Sequence, residues 1–309
     1  MEIYDVIIIG SGPAGLTSAI YTSRAKLKTL ILEKMIVGGQ VTVTAEVENY
    51  PGFVEPINGF LLMNNFERQA KKFGAEIKTG VEVKEIKKEK GIFTLSTINE
   101  VFNSRALIIA TGAKYKNIGI PGEKEFAGKG VSYCATCDGA FFKDKVVAVI
   151  GGGNSALDEA IFLTKFVNKV YLIHRRKEFR ADKIYQERVF ANEKIETILN
   201  YIPVSINGSN QGVESITIKE KDTGEIRELK IDGVFVFVGL SPNTEFLNGF
   251  IETDKSGYII TDNEKKTNVD GCFAAGDVTI KTLRQIATAV GDGAIAANSV
   301  KTYLENLEE

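Results

Sequence analysis

DVIIIGSGPAG (5–15) and KVVAVIGGGNSA (145–156) decide the fold of this chain. Asp5 to Ile9 is a short run rich in β-branched residues and reads as a buried parallel strand. It enters the turn Gly10-Ser11-Gly12-Pro13-Ala14-Gly15. Leu16 to Ala25 comes next with helical character, and a second strand, Lys28 to Leu32, ends at Glu33. The order repeats later. Lys145 to Ile150 reads as a strand, Gly151-Gly152-Gly153-Asn154-Ser155-Ala156 as a turn, the next residues to about Phe166 as a helix, and Lys169 to Ile173 as a strand ending at His174. Gly10 and Glu33 lie 23 positions apart, as do Gly151 and His174. One glycine-rich turn is a weak signal. Two, each between a strand and a helix and with matched spacing, predict two dinucleotide-binding folds.

Around these units the rest of the chain takes its place. The 309 residues suggest about two domains at roughly 150 residues each. Glu76 to Thr97 alternates around a turn at Glu89-Lys90-Gly91, and Gln211 to Val238 around one at Asp222-Thr223-Gly224. Each predicts a small antiparallel meander added to a βαβ core. Leu283 to Leu304 reads as a C-terminal helix with Gly291 and Gly293 as weak points. The expected class is α/β: two Rossmann-like, three-layer domains, each with its meander.

Composition narrows the chemistry. Lys and Arg number 38 against 40 Asp and Glu, a net charge of −2, too balanced for a field that would hold nucleic acid or an anionic membrane. The first residues lack the basic region of a secretory leader, and the longest later apolar run, Val234 to Val238, is strand-length. A cytoplasmic location is expected. There is one histidine, His174, and three cysteines, Cys134, Cys137 and Cys272. That inventory excludes a multi-histidine metal site and a disulfide scaffold. Catalysis must come from a cofactor, from carboxylates or from those thiols.

The two glycine turns lead to different residues at the end of the second strand. In each turn, the second glycine lets the backbone approach a pyrophosphate, and the helix N-terminus offers free N–H groups to it. Glu33 ends the first unit and suits the two hydroxyls of an adenosine ribose, so FAD or NAD fits. The second unit ends in His174-Arg175-Arg176, with Arg180 beyond. Guanidinium groups bind phosphate in a bidentate fashion, which favours NADPH over NADH. A solvated basic patch is the plainer alternative for these arginines. His174 either contacts a ribose or packs.

Cys134-Ala135-Thr136-Cys137 is a CxxC directly ahead of Asp138. Such a loop can close a small disulfide ring and exchange with other thiols. It could instead supply half a zinc site, with Cys272 and His174 as the remaining ligands. Cys272 lies in a run that reads as a buried strand, where a structural thiol is expected. Asp138 is either a surface carboxylate or a general acid tuned by burial.

Taken in order, GSGPAG (10–15), GGQVTVTAEVENYPG (38–52), ATG (110–112), YCATCDGAFF (133–142), GGGNSA (151–156), HRRKEFR (174–180) and GDVTIKTLRQIATAVGDG (276–293) resemble the low-molecular-weight bacterial and archaeal thioredoxin reductases. The match spans almost the whole chain. The resemblance implies FAD in the first site and NADPH in the second. It implies a discontinuous FAD domain, 1–114 and 244–309, around an inserted NADPH domain, 115–243, that carries the CxxC. Ser11, Gly12, Pro13, Ala14, Glu33, Gly39, Gln40, Asn49 and Val83 match FAD-contacting positions. Thr111, Gly112, Gly276, Asp277, Arg284, Gln285 and Ile286 do so as well, with Asp277 toward the ribityl chain. Gly153, Asn154, Ser155, His174, Arg175, Arg176 and Arg180 match NADPH-contacting positions.

The implied reaction passes a hydride from NADPH to flavin, then reduces a Cys134–Cys137 disulfide, then reduces thioredoxin. Cys137 would face the flavin, Cys134 attack thioredoxin, and Asp138 handle the proton. The nicotinamide and the CxxC need the same flavin face, so the resemblance also implies a rotation of one domain. A homodimer without metal is expected. The rival reading is a same-fold flavin enzyme that takes electrons from ferredoxin or serves a peroxiredoxin-type acceptor.

Overall fold

A computed structural model describes residues 2–44 and 46–307. Ala45, within the 38–52 motif, and the terminal residues Met1, Glu308 and Glu309 of the expected first domain lie outside the described residues. In chain order the elements are β1 (Ile3–Ile9), α1 (Pro13–Arg24), β2 (Thr29–Glu33), α2 (Gly59–Lys72), β3 (Glu76–Thr79), β4 (Glu85–Glu89), β5 (Ile92–Ser96), β6 (Val101–Ile109), β7 (Ala113–Tyr115) and β8 (Val131–Ser132). Then come α3 (Ala135–Asp138), β9 (Val146–Gly151), α4 (Asn154–Leu163), β10 (Lys169–His174), α5 (Lys183–Phe190), β11 (Ile195–Leu199), β12 (Tyr201–Ser209), β13 (Gly212–Glu220) and β14 (Ile226–Lys230). β15 (Gly233–Phe237), β16 (Leu240–Pro242), β17 (Cys272–Ala274) and α6 (Ile286–Asn306) complete the chain. The chain divides into two compact units, Met1–Lys114 with Ser241–Glu309, and Tyr115–Leu240.

The first unit is built on the order β3-β2-β1-β6, with β17 pairing β6 and with β5 and β4 continuing beyond β6. β3, β2, β1, β6 and β17 run parallel, while β5 and β4 are antiparallel. Strand alternation sends side chains to two faces. From β1, Val6 and Ile8 join α1, α2 and α6 in one core, whereas Ile7 and Ile9 join Phe93 and Leu95 of β5 and Ile251 and Ile259 in the other. Each fully buried aliphatic side chain contributes about 1.5–3 kcal/mol before entropy is counted.

The second unit repeats the plan. The parallel sheet has the order β11-β10-β9-β15-β8. Val147 and Val149 of β9 face α4, while Ala148 and Ile150 face a separate antiparallel sheet, β12-β13-β14, through Ile206, Ile216, Ile218 and Leu229. Both units are therefore helix, parallel sheet and antiparallel layer, as the sequence predicts.

Four local expectations need correction. Glu76–Thr79 is not part of a meander: it pairs in parallel with β2, because Ile31 and Glu33 take Ile77 and Thr79 as partners. The second meander begins earlier, with β12, and β15 belongs to the parallel sheet instead. The helix after Ser155 ends at Leu163, with Thr164 to Phe166 turning back through Phe166 N–H to Leu163 carbonyl, 2.9 Å. The C-terminal helix starts at Ile286, after a capping box between Gln285 and Thr288, and is unbroken at Gly291 and Gly293. Gly293 is an approach point: a Cβ there would lie 2.3 Å from the Ala14 carbonyl oxygen of α1.

Candidate active site

The two glycine turns carry the same division of labour. In the first, a Cβ on Gly15 would lie 2.0 Å from the Gly10 carbonyl oxygen, so helix and turn touch there. A Cβ on Gly12, or on its counterpart Gly153, would meet nothing within 4 Å. Those two positions face open space in both loops. α1 and α4 begin there without a side-chain cap, whereas Asn58 caps α2 and Gln285 caps α6. Uncapped first-turn N–H groups beside an open glycine suit a pyrophosphate.

In the first unit Glu33 sits at the end of β2 and accepts from Ser11 N–H at 2.9 Å and Ser11 Oγ–H at 2.6 Å through one oxygen. Its other oxygen accepts from Met35 N–H at 2.9 Å. Gly38 N–H donates to the Ser11 carbonyl at 3.0 Å, which brings the 38–40 segment to the same turn, and Gly39 stands over Gly12. Gln40 donates to the Ala113 carbonyl. Asn49 Nδ2 donates to Gln285 Oε1 at 3.1 Å, so these two distant positions meet ahead of Ile286 at the start of α6. Thr111 and Gly112 are fixed by Asn243, whose amide donates to the Thr111 carbonyl at 2.9 Å while Thr111 Oγ1 donates to its carbonyl at 2.8 Å. The Val83 side chain packs in the core with Ile7 and Leu32.

Asp277 is the informative carboxylate. Its Oδ1 is buried and has no hydrogen-bond partner within the protein. Burial raises its pKa, opposed by Lys281 and Arg284. An unpaired buried acceptor is costly unless a ligand supplies a donor, and a ribityl hydroxyl is such a donor. The residues present therefore fit FAD. Arg284 lies against the Tyr258 ring at 4.1 Å and donates to the Asp277 carbonyl at 3.4 Å.

Sequence reasoning misses what holds this turn. Asp292, buried on α6, accepts from Gly276 N–H at 3.1 Å and pairs with Lys265 at 2.8 Å and with Lys281. Burial alone would raise its pKa, and the two lysines outweigh it. The signal that could find it is a carboxylate inside an apolar helix. Asn243 carries no such signal.

In the second unit His174 closes β10. It is buried, stacked on Phe179 at 5.6 Å, and directly beneath Gly152, where a Cβ would lie 2.3 Å from its Nδ1. Burial, then Arg180, Arg176 and Arg175, lowers its pKa. It packs, and its buried Nε2 has no partner within the protein. Arg175, Arg176 and Arg180 are exposed, and none has a carboxylate partner among the described residues. Arg180 N–H donates to the Gly152 carbonyl at 2.8 Å, which ties the basic segment to the glycine turn. Asn154 exchanges two hydrogen bonds with Asp182, at 2.7 and 2.8 Å, beside the exposed Ser155. Three free guanidinium groups next to an uncapped helix fit an NADPH phosphate set.

Cys134 and Cys137 are joined as a disulfide. Their sulfurs bond each other, so in this state neither is a thiolate ligand for zinc. Cys134 caps α3, its Sγ accepting from Cys137 N–H at 3.1 Å. Cys137 is exposed and Cys134 half-buried. Asp138 ends α3 and is only part-buried. Cys272 lies apart in β17, fully buried, its thiol pushed up to about 12 by burial. Among the described residues no helix is long and apolar enough to cross a membrane.

The model of the family described as pyridine nucleotide-disulphide oxidoreductase matches residues 4–293. The thioredoxin reductase of Bacillus subtilis (strain 168) is 50% identical over 308 residues, covering 100% of this chain and 97% of that protein. The crystal structure of Lactococcus lactis thioredoxin reductase superposes with a TM-score of 0.96 at 45% identity, over 98% of this chain and 99% of that one. That of T. acidophilum thioredoxin reductase gives 0.94 at 39% identity, over 99% and 100%. With a parallel-sheet unit repeated around two glycine turns and a CxxC closed as a disulfide, the chain belongs to the pyridine nucleotide-disulphide oxidoreductase family, in its thioredoxin reductase branch.

Proposed function

We propose that this enzyme is an NADPH-dependent thioredoxin-disulfide reductase, with FAD held by residues 1–114 and 244–309 and NADPH by residues 115–243. The observation that carries the reading is the Cys134–Cys137 disulfide at the head of α3. In a chain with only one other cysteine, and that one buried, this bond is the natural electron store. FAD and NADPH, when bound, supply the hydride chemistry that the side chains lack.

The protein's own part is thiol chemistry. Two electrons and two protons convert the disulfide into a dithiol. The Cys134 thiolate then attacks one sulfur of the oxidised partner, whose other sulfur leaves as a thiolate and takes a proton. Cys137 displaces the partner from the mixed disulfide, which restores the Cys134–Cys137 bond. Asp138 delivers or accepts the proton at the departing sulfur. Gly12, Pro13, Ala14, Gly39, Gln40 and Asn49 would orient the flavin, with Glu33 on the ribose and Asp277 on the ribityl chain. Gly153, Asn154 and Ser155 would hold the second pyrophosphate, with Arg175, Arg176 and Arg180 on the 2′-phosphate. Because residues 115–243 would carry both the nicotinamide and the disulfide, the two would have to take turns at the flavin, which a rotation of that unit between two states would allow. We read the working form as a cytoplasmic homodimer.

The test is thioredoxin reduction by NADPH in Cys134→Ser and Cys137→Ser. Each variant should lose activity by about a thousandfold or more while NADPH still bleaches the flavin. Undiminished turnover in either variant contradicts the disulfide route. Bleaching by reduced ferredoxin but not by NADPH would favour the rival donor.

A further inference from the structure

Glu123 is a carboxylate that neither nucleotide site uses, yet it is 1% exposed. Three donors converge on it. Ile118 N–H reaches one oxygen at 2.8 Å and Gly119 N–H the other at 2.6 Å. Tyr133 Oη–H donates to the first oxygen at 2.9 Å. Ile118 and Gly119 lie just after β7, where the chain enters the second unit. Tyr133 immediately precedes Cys134. One buried side chain thus ties the entry segment to the backbone ahead of the redox disulfide.

The surroundings make the tie stiff. Glu123 sits in a turn closed by its own N–H to the Ile120 carbonyl at 3.2 Å. Gly122 presses that turn onto β12, where a Cβ would lie 1.9 Å from the Ile206 carbonyl oxygen, and Ile206 N–H returns a bond to the Pro121 carbonyl at 2.9 Å. Across from it, β8 pairs with β15 through Val131 and Ser132. Ser132 Oγ accepts from Cys134 N–H at 3.1 Å and donates to the Cys134 carbonyl at 3.2 Å. Burial, then the bond to Glu123, raises the Tyr133 phenol above its ordinary range, so it remains a donor.

We propose that Glu123, acting through Tyr133, is a positioning residue for the Cys134–Cys137 pair. The inference rests on the disulfide route given above. Electron delivery to a disulfide needs the accepting sulfur held in line with its donor, and displacement of about 1 Å can cost up to ~100-fold in rate. Ser132 and the β8–β15 ladder fix the pair on one side. The Glu123–Tyr133 bond fixes it on the other and keeps it in register with the entry segment as the unit moves.

The test compares the holoenzymes of wild type, Tyr133→Phe and Glu123→Gln. Anaerobic stopped flow measures flavin bleaching by NADPH. Acid quench, alkylation and mass spectrometry measure the appearance of the Cys134 and Cys137 thiols. Tyr133→Phe removes one bond and no volume. Glu123→Gln turns an amide N–H₂ against a backbone N–H or the phenol. The bleaching rate should stay within about twofold, while thiol appearance slows by about threefold in Tyr133→Phe and about tenfold in Glu123→Gln. If Glu123→Gln does not fold, Tyr133→Phe decides. Thiol appearance at the wild-type rate in Tyr133→Phe, or an equal fall of both steps, overturns the inference alone. Failure of the wild-type disulfide to open under NADPH overturns the disulfide route itself.

Discussion

The two glycine turns are the same device ending in different chemistry. Both place an open glycine, Gly12 or Gly153, at an uncapped helix start. At the end of the second strand they part. Glu33 is a carboxylate already drawn inward by Ser11 and Met35. In the other unit the equivalent position is filled by a buried, packed His174, and the charge has moved outward to Arg175, Arg176 and Arg180. A βαβ scaffold sets where a dinucleotide lies, whereas the residue after the second strand sets the sign of charge that it meets. An acid selects ribose hydroxyls and repels a phosphate. Exposed guanidinium groups beside a packed ring attract a phosphate instead.

The largest expected effect breaks the shared part. Gly12 and Gly153 both have negative φ values, −70° and −103°, and room for a methyl group, so alanine at either should preserve the fold. The added methyl would occupy the space into which the pyrophosphate must come. Overpacking of that kind costs about 1–3 kcal/mol, or roughly tenfold to a hundredfold in affinity. Gly12→Ala should weaken FAD alone and Gly153→Ala NADPH alone, with unchanged circular dichroism. Gly152→Ala is the control, since its methyl group strikes the His174 ring and should destabilise the second unit even without nucleotide.

The next effect sharpens the difference. A charge-assisted hydrogen bond contributes about 1.5–3 kcal/mol. Replacing Arg175 and Arg176 by alanine should therefore raise the KM for NADPH at least about tenfold and leave the KM for NADH nearly unchanged. An equal rise for both cofactors contradicts the 2′-phosphate assignment.

A smaller effect tests a second carboxylate of the first unit, Asp277. Burial without a partner raises the pKa of Asp277, so as a carboxylate it strains the flavin-free fold at neutral pH. Asp277→Asn should melt no lower than wild type without flavin, yet bind flavin more weakly in a fluorescence titration. Loss of stability together with unchanged flavin affinity would contradict its role.

The smallest effect is the pH response of His174. Its folded pKa lies below its unfolded value, so below about pH 6.5 the unfolded chain binds the extra proton more readily. Stability should be flat above that pH and fall beneath it. His174→Asn should reduce this acid slope in a melting series.

Much of the fold is legible in the sequence because its signals are local. Strand runs, glycine turns and the 23-residue spacing lie within single βαβ units. The features that escape depend on partners far along the chain. Glu76–Thr79 alternates like a meander strand, and only its parallel register with Leu30 to Glu33 assigns it to the main sheet. Gly293 looks like a helix breaker until Ala14 is seen against it. The site shows the same contrast. The CxxC and the arginines announce themselves, whereas Asp292, Asn243 and Glu123 gain their meaning from a Gly276 amide, a Thr111 carbonyl and a Tyr133 hydroxyl. The sequence leaves His174 as either a ribose contact or a packing residue; the ring stacks on Phe179 beneath Gly152, while its buried Nε2 has no partner within the protein, so the two readings stand together.

The most direct measurement counts thiols by position. The holoprotein is alkylated anaerobically before and after NADPH and mapped by mass spectrometry. The disulfide route predicts no label before NADPH, label on Cys134 and Cys137 afterward, and label on the buried Cys272 only after unfolding. Flavin bleached by NADPH with Cys134 and Cys137 still unlabelled would contradict it.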